Sequence, residues 1–177
     1  MTGDYAKADW GVYNAISNGG DEPIRWRTLT TSEWQYLFKN NKWTLGNVTV
    51  GDDSHLCYML IPEDFVAPEG TTVTVLSTSL DVSSGYVYGI SESDYASNTY
   101  TTDQFAALEE LGVVALPCGG QRYGTMVGNV GSYGDYWSSS AYGSSGAYIF
   151  YILASLVNSG YDHGRHYGRS VRLVQDL

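Results

Sequence analysis

Positive charge is scarce in this chain. Nine Lys and Arg stand against 19 Asp and Glu, a formal net charge of −10, and so acidic a surface has no footprint for neutralising phosphates, which argues against nucleic acid as a partner. Cysteine is nearly absent too. Cys57 and Cys118 have a spacing that fits neither a zinc site nor a CxxC redox motif. A bridge between them would close a long loop and contribute about 4 kcal/mol in the chain-entropy model; two buried free thiols are an equal alternative. No apolar stretch approaches the roughly 20 residues of a membrane span, so a soluble chain with no membrane insertion is expected. The first residues, "MTGDYAKADWG", lack a basic region followed by an apolar segment, and no signal peptide is expected. The 177 residues are enough for one domain, 1–177, with a real core.

What is present is helix signal in the first two thirds and strand signal throughout the rest. In "RWRTLTTSEWQYLFKN", Thr30 and Glu33 have capping-box spacing and are followed by Trp34, Leu37 and Phe38 on one face, which predicts a helix from about Thr31 to Lys39. Thr101 and Gln104 repeat the device before Phe105, Leu108 and Leu111, and Gly112 ends the pattern, predicting a second helix near 102–111. Short strands are expected at "HLCYMLIP", "TVTVLS", "VVALP", "DYWSSS", "AYIFYIL" and "RSVRLV". Two helices and a strand-rich C-terminal half make an α+β fold. The polar, turn-rich stretch "DVSSGYVYGISESDYASNTY" reads as a long surface excursion.

Motifs for chemistry are missing. "GGQRYGTMVGNVGSYGDY" lacks both the Gly-Lys-Ser/Thr ending of a phosphate loop and GxGxxG spacing, so it reads as turns. No Ser lies in a GxSxG elbow and neither Cys has a neighbouring His, so no nucleophile with its base, and no catalytic residue, can be named. Asp162, His163 and His166 in "DHGRH" are closely spaced, but on a Gly-containing loop such residues read as surface polarity rather than a metal site. No cofactor is implied.

The most unusual stretch is "SSGAYIFYILASLVNSG". From Ala147 to Val157 only Ser155 is neither apolar nor aromatic, so at the strand period of two neither face is made for solvent. Either the strand is central and buried on both sides, or one face packs the core while the other is offered to a partner.

Three segments, "WRTLTTSEWQYLF", "GDYWSSS" and "YGRSVRLV", resemble in that order the landmarks of the C-type-lectin-fold branch containing formylglycine-generating enzymes and the variable proteins of diversity-generating retroelements. Within it, the block "YWSSSAYGSSGAYIFYILASLVNSGYDHGRHYGRSVRLV" is most similar to the variable region of retroelement-diversified proteins of Bacteroides-type gut bacteria and their phages. The resemblance implies a C-type lectin fold, a variable region at about 137–172, and a ligand-binding domain that meets a cell-surface protein or glycan receptor in phage adsorption or bacterial adhesion. It also implies an extracellular place, on a virion or a bacterial surface. The enzyme branch relies on a C-terminal cysteine pair, and here no Cys follows Cys118. Calcium-dependent lectins use an EPN or QPD tripeptide with WND; "EPI" at 22–24 departs from the first, and WND is absent. Retroelement mutagenesis of adenines in AAC or AAT codons cannot yield Lys, Glu, Gln, Met or Trp, and none of these occurs from Ser138 to Val174.

With that resemblance, Tyr148, Phe150, Ile152 and Val157 are expected to pack inward. Ile149, Tyr151, Leu153, Leu156 and Asn158 then form a displayed face, joined by Ala141, Tyr142, Gly143, Gly146, Ser159, Tyr161, Asp162, His163 and His166 from the flanking turns. Tyr, Ser, Gly and Asn are also the working residues of antibody paratopes. The alternative is a fixed structural or adhesin module whose apolar face is buried against another domain or subunit.

Overall fold

The computed structural model describes residues 26–175; the start of the chain and the "EPI" tripeptide lie outside them. The fold is α+β and strand-rich. Helix α1 (Thr31–Asn40) begins where the capping box predicts: Glu33 N donates to Thr30 Oγ1 and Thr30 N donates to the Glu33 carboxylate. Arg27 grips the same carboxylate with two nitrogens, at 2.9 and 2.7 Å, and these bonds hold Glu33 down at about 2, well below the usual range.

A hairpin of β2 (Lys42–Val50) and β3 (Asp53–Ile61) follows, turning at Gly51 with φ +63°. It is flanked by β5 (Thr99–Thr101), parallel to β2, and β6 (Val114–Pro117), antiparallel to β3. The second four-stranded sheet is antiparallel throughout, in the order β4 (Tyr86–Tyr88), β11 (Leu156–Gly164), β10 (Gly146–Leu153), β9 (Gly134–Tyr142). A small sheet of β12 (Tyr167–Gly168), β7 (Gln121–Tyr123) and β8 (Met126–Gly128) stands beside it. Finally β1 (Arg27–Thr28) pairs with β13 (Leu173–Val174). A one-turn helix, α2 (Glu92–Tyr95), and helix α3 (Thr102–Glu110), with its Thr101/Gln104 capping box, complete the elements.

The core lies between the two large sheets and α1. Trp34 stacks on Phe150 at 4.8 Å, Tyr58 meets Phe150 edge-on at 4.9 Å, and Trp43 stacks on both Tyr58 and Phe38. These rings tie α1, β2, β3 and β10 into one cluster that also takes in Ile152, Val157 and Tyr136. A second cluster under α3 holds Val48, Met59, Tyr100 and Leu108. Cys57 and Cys118 are free and buried, one in each cluster, which decides the question of a bridge; burial pushes the Cys57 thiol up to about 11.

Several expectations need correction. "TVTVLS" is not a strand. β5 pairs with β2 only at Asn47–Thr49. Further along, the segment meets β2 without a ladder, Leu76 N and Ser77 N both donating to Trp43 O and Trp43 N to Ser77 Oγ, while the amide of the buried Asn98 donates to Thr74 O and accepts from Thr74 N. "RSVRLV" is a strand only at Leu173–Val174. Residues 81–100 are mostly exposed, as a surface excursion would be, but they also supply β4, α2 and part of β5 and bury Val87, Ile90, Tyr95, Asn98 and Tyr100. Strands β2 and β11 went unread. In β2 the glycine that weakens the signal is required, because a Cβ at Gly46 would stand 2.9 Å from Asn98 O.

Candidate functional site

The landmark "YWSSS" does two jobs. Tyr136 turns into the core, with its hydroxyl on Pro117 O at 2.7 Å. The serines step out of regular pairing: between Ala147↔Ala141 and Ile149↔Trp137, β9 holds two extra residues. Freed from the ladder, Ser140 Oγ accepts from Thr31 N, Ser138 Oγ bonds Thr31 Oγ1, and Ser139 N donates to Leu29 O. The serine run is therefore the seat of the start of α1. On the other side, β11 carries one extra residue between Asn158 and Tyr161. Helix α1 crosses there so closely that a Cβ on Gly160 would lie 2.8 Å from the Gln35 amide nitrogen.

These irregularities set which residues reach the outer face of the sheet. Cross-strand partners share a face. Tyr151 pairs with Asp135 and with Asn158, Ile149 with Trp137 and Tyr161, and Leu153 with Leu156. Tyr88 and Tyr86 on β4 pair with Leu156 and Asn158, so two exposed tyrosines that sequence reasoning passed over extend this face.

Of the expected inward set, Phe150, Ile152 and Val157 are in the core. Tyr148 is not: the irregular pairing of β9 carries it to the rim, where it meets exposed Tyr142 at 5.3 Å. Of the expected displayed set, Tyr151, Leu153, Leu156 and Asn158 are half-buried, and Tyr161, Asp162 and His166 are exposed. Ala141, Tyr142 and Gly143 lie exposed at the β9–β10 turn, with Gly143 at φ +58°. Gly146 is buried because Tyr142 O approaches within 2.9 Å of where its Cβ would be. Ser159 is buried and its hydroxyl donates to Gly85 O at 2.6 Å; it joins β11 to the loop before β4 and displays nothing. Ile149 is corrected as well. It points away from both core clusters, yet only 1 % of it is exposed, because side chains from β7, β9, β11 and the chain after β12 close over it.

That cover is the most elaborate part of the molecule. Tyr161 stacks on Tyr151 at 5.1 Å, Tyr133 meets Tyr151 edge-on, and His163 sits edge-on to Tyr167 at 4.4 Å. Arg169 lies among them, 5.6 Å from the Trp137 ring and 5.2 Å from that of Tyr167. It is held there by Ser170, whose N donates to Asp135 O and whose O accepts from Trp137 N. Arg169 Nη1 donates to Asp135 Oδ2, an ion pair with side chains 2 % and 0 % exposed. Burial raises the Asp135 carboxyl to about 6 against the pull of Arg169. Burial, then Arg169 and His166, lower the His163 imidazole, so His163 is neutral at pH 7. Between these groups is a cavity of about 90 Å³, with Ile149 as its floor.

Sequence reasoning brought Tyr151, Tyr161 and His163 to this place but missed Asp135, Arg169, Tyr133 and Gln121, which line the same cavity. No local signal could have found the ion pair, whose members are 34 positions apart. Among the described residues no three His, Cys, Asp or Glu stand together as metal ligands, and no helix is long and apolar enough to cross a membrane.

No curated protein and no solved structure matches the chain. One family model does, over residues 58–174, a span that includes the whole β4–β11–β10–β9 sheet. The chain belongs to the family described as Domain of unknown function (DUF8237).

Proposed function

We propose that this chain is a receptor-binding domain of the diversity-generating-retroelement type, built on a C-type lectin scaffold and acting by adhesion rather than catalysis. The observation that carries the reading is the division of labour in the β4–β11–β10–β9 sheet. Its inner face is packed aliphatic and aromatic core, and its outer face is a field of tyrosines, Tyr86, Tyr88, Tyr151 and Tyr161, of the kind that gives contact area at low entropic cost. The scaffold assignment is supported by the meeting in space of the three landmark segments: Thr31 with Ser138 and Ser140, and Arg27–Thr28 with Leu173–Val174. In this reading residues 137–172 vary outward while Phe150, Ile152 and Val157 stay constant. The partner is a protein or glycan on a cell surface, and the domain is carried on a virion or bacterial exterior.

A second reading, a fixed adhesin or structural module, draws on the exposed Met126, Val127 and Val130 around β8, an apolar edge that another domain or subunit could cover. Two measurements decide between them. A reverse transcriptase gene and a near-identical repeat differing at adenines beside the coding sequence are expected for the first reading. Replacing residues 141–166 with those of a sibling protein is then expected to transfer partner choice with the fold intact. A folded chimera that keeps its original partner sends the binding site elsewhere.

A further inference from the structure

We infer that the cavity under Tyr151 and Tyr161 takes the vicinal-diol edge of a neutral sugar, held by Asp135, Arg169 and His163 without a metal ion. The inference rests on the receptor-binding reading and names the chemistry that the outer face would recognise.

The starting point is an imbalance. Five buried side-chain polar atoms among the described residues have no hydrogen-bond partner in the protein. Two of them, Trp34 Nε1 and Tyr58 Oη, are in the aromatic core. The other three, Asp135 Oδ1, Arg169 Nε and His163 Nδ1, belong to residues that line one cavity. An unpaired buried polar atom is costly, the more so when charged, and three of them at one cavity call for a partner there, a water or a ligand group. The ion pair that holds Asp135 to Arg169 uses one oxygen and one nitrogen. Asp135 Oδ1 is left as an acceptor and Arg169 Nε as a donor, in side chains that line the cavity but have almost no surface open to solvent, so the tyrosine cover must shift for a hydroxyl to reach them.

A hydroxyl group both donates and accepts. One sugar hydroxyl can give its proton to Asp135 Oδ1 and accept from Arg169 Nε, while its neighbour on the ring donates to His163 Nδ1. The imidazole is neutral at pH 7 and accepts at Nδ1 when its proton is on Nε2. Charge selects against the alternatives: a carboxylate or phosphate would face Asp135 within a chain of net charge −10, and a cation would face Arg169. Size points the same way. About 90 Å³ is the space of roughly three waters, enough for the edge of a sugar and not for its ring. The ring would lie instead against Tyr161, which is 42 % exposed and backed by Tyr151, with its C–H groups on the electron-rich face. A carboxamide could fill the recess but makes no use of that platform.

The test is saturation-transfer NMR on the full chain with the methyl glycosides of mannose, galactose, glucose, fucose and N-acetylglucosamine at millimolar concentration, and acetamide as the protein-side-chain probe. At least one glycoside is expected to bind. Its deoxy analogues lacking either hydroxyl of one adjacent pair are expected to bind about tenfold more weakly or worse, as loss of a charge-assisted hydrogen bond dictates. Tyr161→Ala, on the surface, should abolish binding. His163→Ala, which spares the ion pair, should weaken it about tenfold and serves if Asp135→Asn fails to fold. No glycoside bound, or acetamide bound in their place, overturns the inference. Parallel adhesion to receptor-bearing cells separates it from the broader reading. Adhesion lost on Tyr161→Ala and on periodate cleavage of surface diols supports both. Adhesion lost on Tyr161→Ala but indifferent to periodate overturns the sugar alone. Adhesion indifferent to Tyr151→Ala and Tyr161→Ala removes the receptor-binding reading itself.

Discussion

The two faces of the β4–β11–β10–β9 sheet are both rich in apolar and aromatic side chains, and they are organised oppositely. On the inner face Phe150, Ile152 and Val157 meet Trp34, Tyr58 and Trp43 in continuous ring and aliphatic contact. On the outer face the rings of Tyr133, Tyr151, Tyr161 and Tyr167 surround a buried ion pair and a small cavity. The first arrangement contributes stability; the second tolerates buried charge and unpaired polar atoms, which detract from it. A strand that reads as uniformly apolar thus serves a core on one side and, on the other, an aromatic cover over a buried ion pair.

The sharpest way to break this comparison is to cut each face in turn and measure unfolding in denaturant. Phe150→Ala should have the largest effect, about 3–5 kcal/mol, since its ring contacts Trp34, Phe38 and Tyr58. Ile149→Ala should follow at about 2–4 kcal/mol: it belongs to the outer face but is sealed by the aromatic cover. A cost for Ile149 under about 1 kcal/mol would show that the cover opens freely in solution. Tyr161→Ser and Leu153→Ser should each change stability by no more than about 1 kcal/mol. Equal losses at Phe150 and Tyr161 would erase the distinction between the faces.

In the response to pH the two faces differ in sign. Glu33, anchoring the helix that covers the inner face, has its folded pKa lowered to about 2 by Arg27 and the capping bonds. Its contribution is present above its unfolded value near 4.5 and is lost as pH falls from there toward 2. It is small, because the pair with Arg27 is partly exposed. Asp135, on the outer face, has its folded pKa raised from 3.8 to about 6 by burial. Its contribution is therefore present below about 3.8 and lost as pH rises through 6. Stability profiles of Glu33→Gln and Asp135→Asn should each lose the corresponding limb. An Asp135 carboxyl titrating near 3.8 by carbon NMR would mean that Arg169 fully offsets burial.

Much of the scaffold was legible because its signals are local. A capping box is a pair of hydrogen bonds between residues three apart, so Thr30 with Glu33 and Thr101 with Gln104 announced α1 and α3 to within a residue or two. Short runs of strand-forming residues bounded by Gly, Ser, Asn and Pro likewise placed β3, β9 and β10. The stretches that misled were those whose conformation is imposed from outside. "TVTVLS" alternates as a strand should, but the side chains of Asn98 and Ser77 take backbone hydrogen bonds that a ladder would use. β2 contains Gly46 and Asn47, poor strand residues, the first required by the close approach of Asn98. In the candidate site, Tyr151 and Tyr161 were visible because they sit in the apolar run and just beyond it, whereas Ser159 was misassigned because its partner is the backbone of Gly85, 74 positions away.

The amino-acid sequence by itself determined that the chain is acidic, that two capped helices accompany many short strands, and that the strand at 146–153 has no face made for water. These follow from composition and from interactions between near neighbours. Tertiary structure alone decided which outer residues are open and which are sealed. Ile149 is buried, and Asp135 joins Arg169, because an extra pair of residues in β9 and the return of Ser170 alongside it bring distant segments together over one cavity. Such contacts form only when the sheet has closed, and no spacing along the chain encodes them.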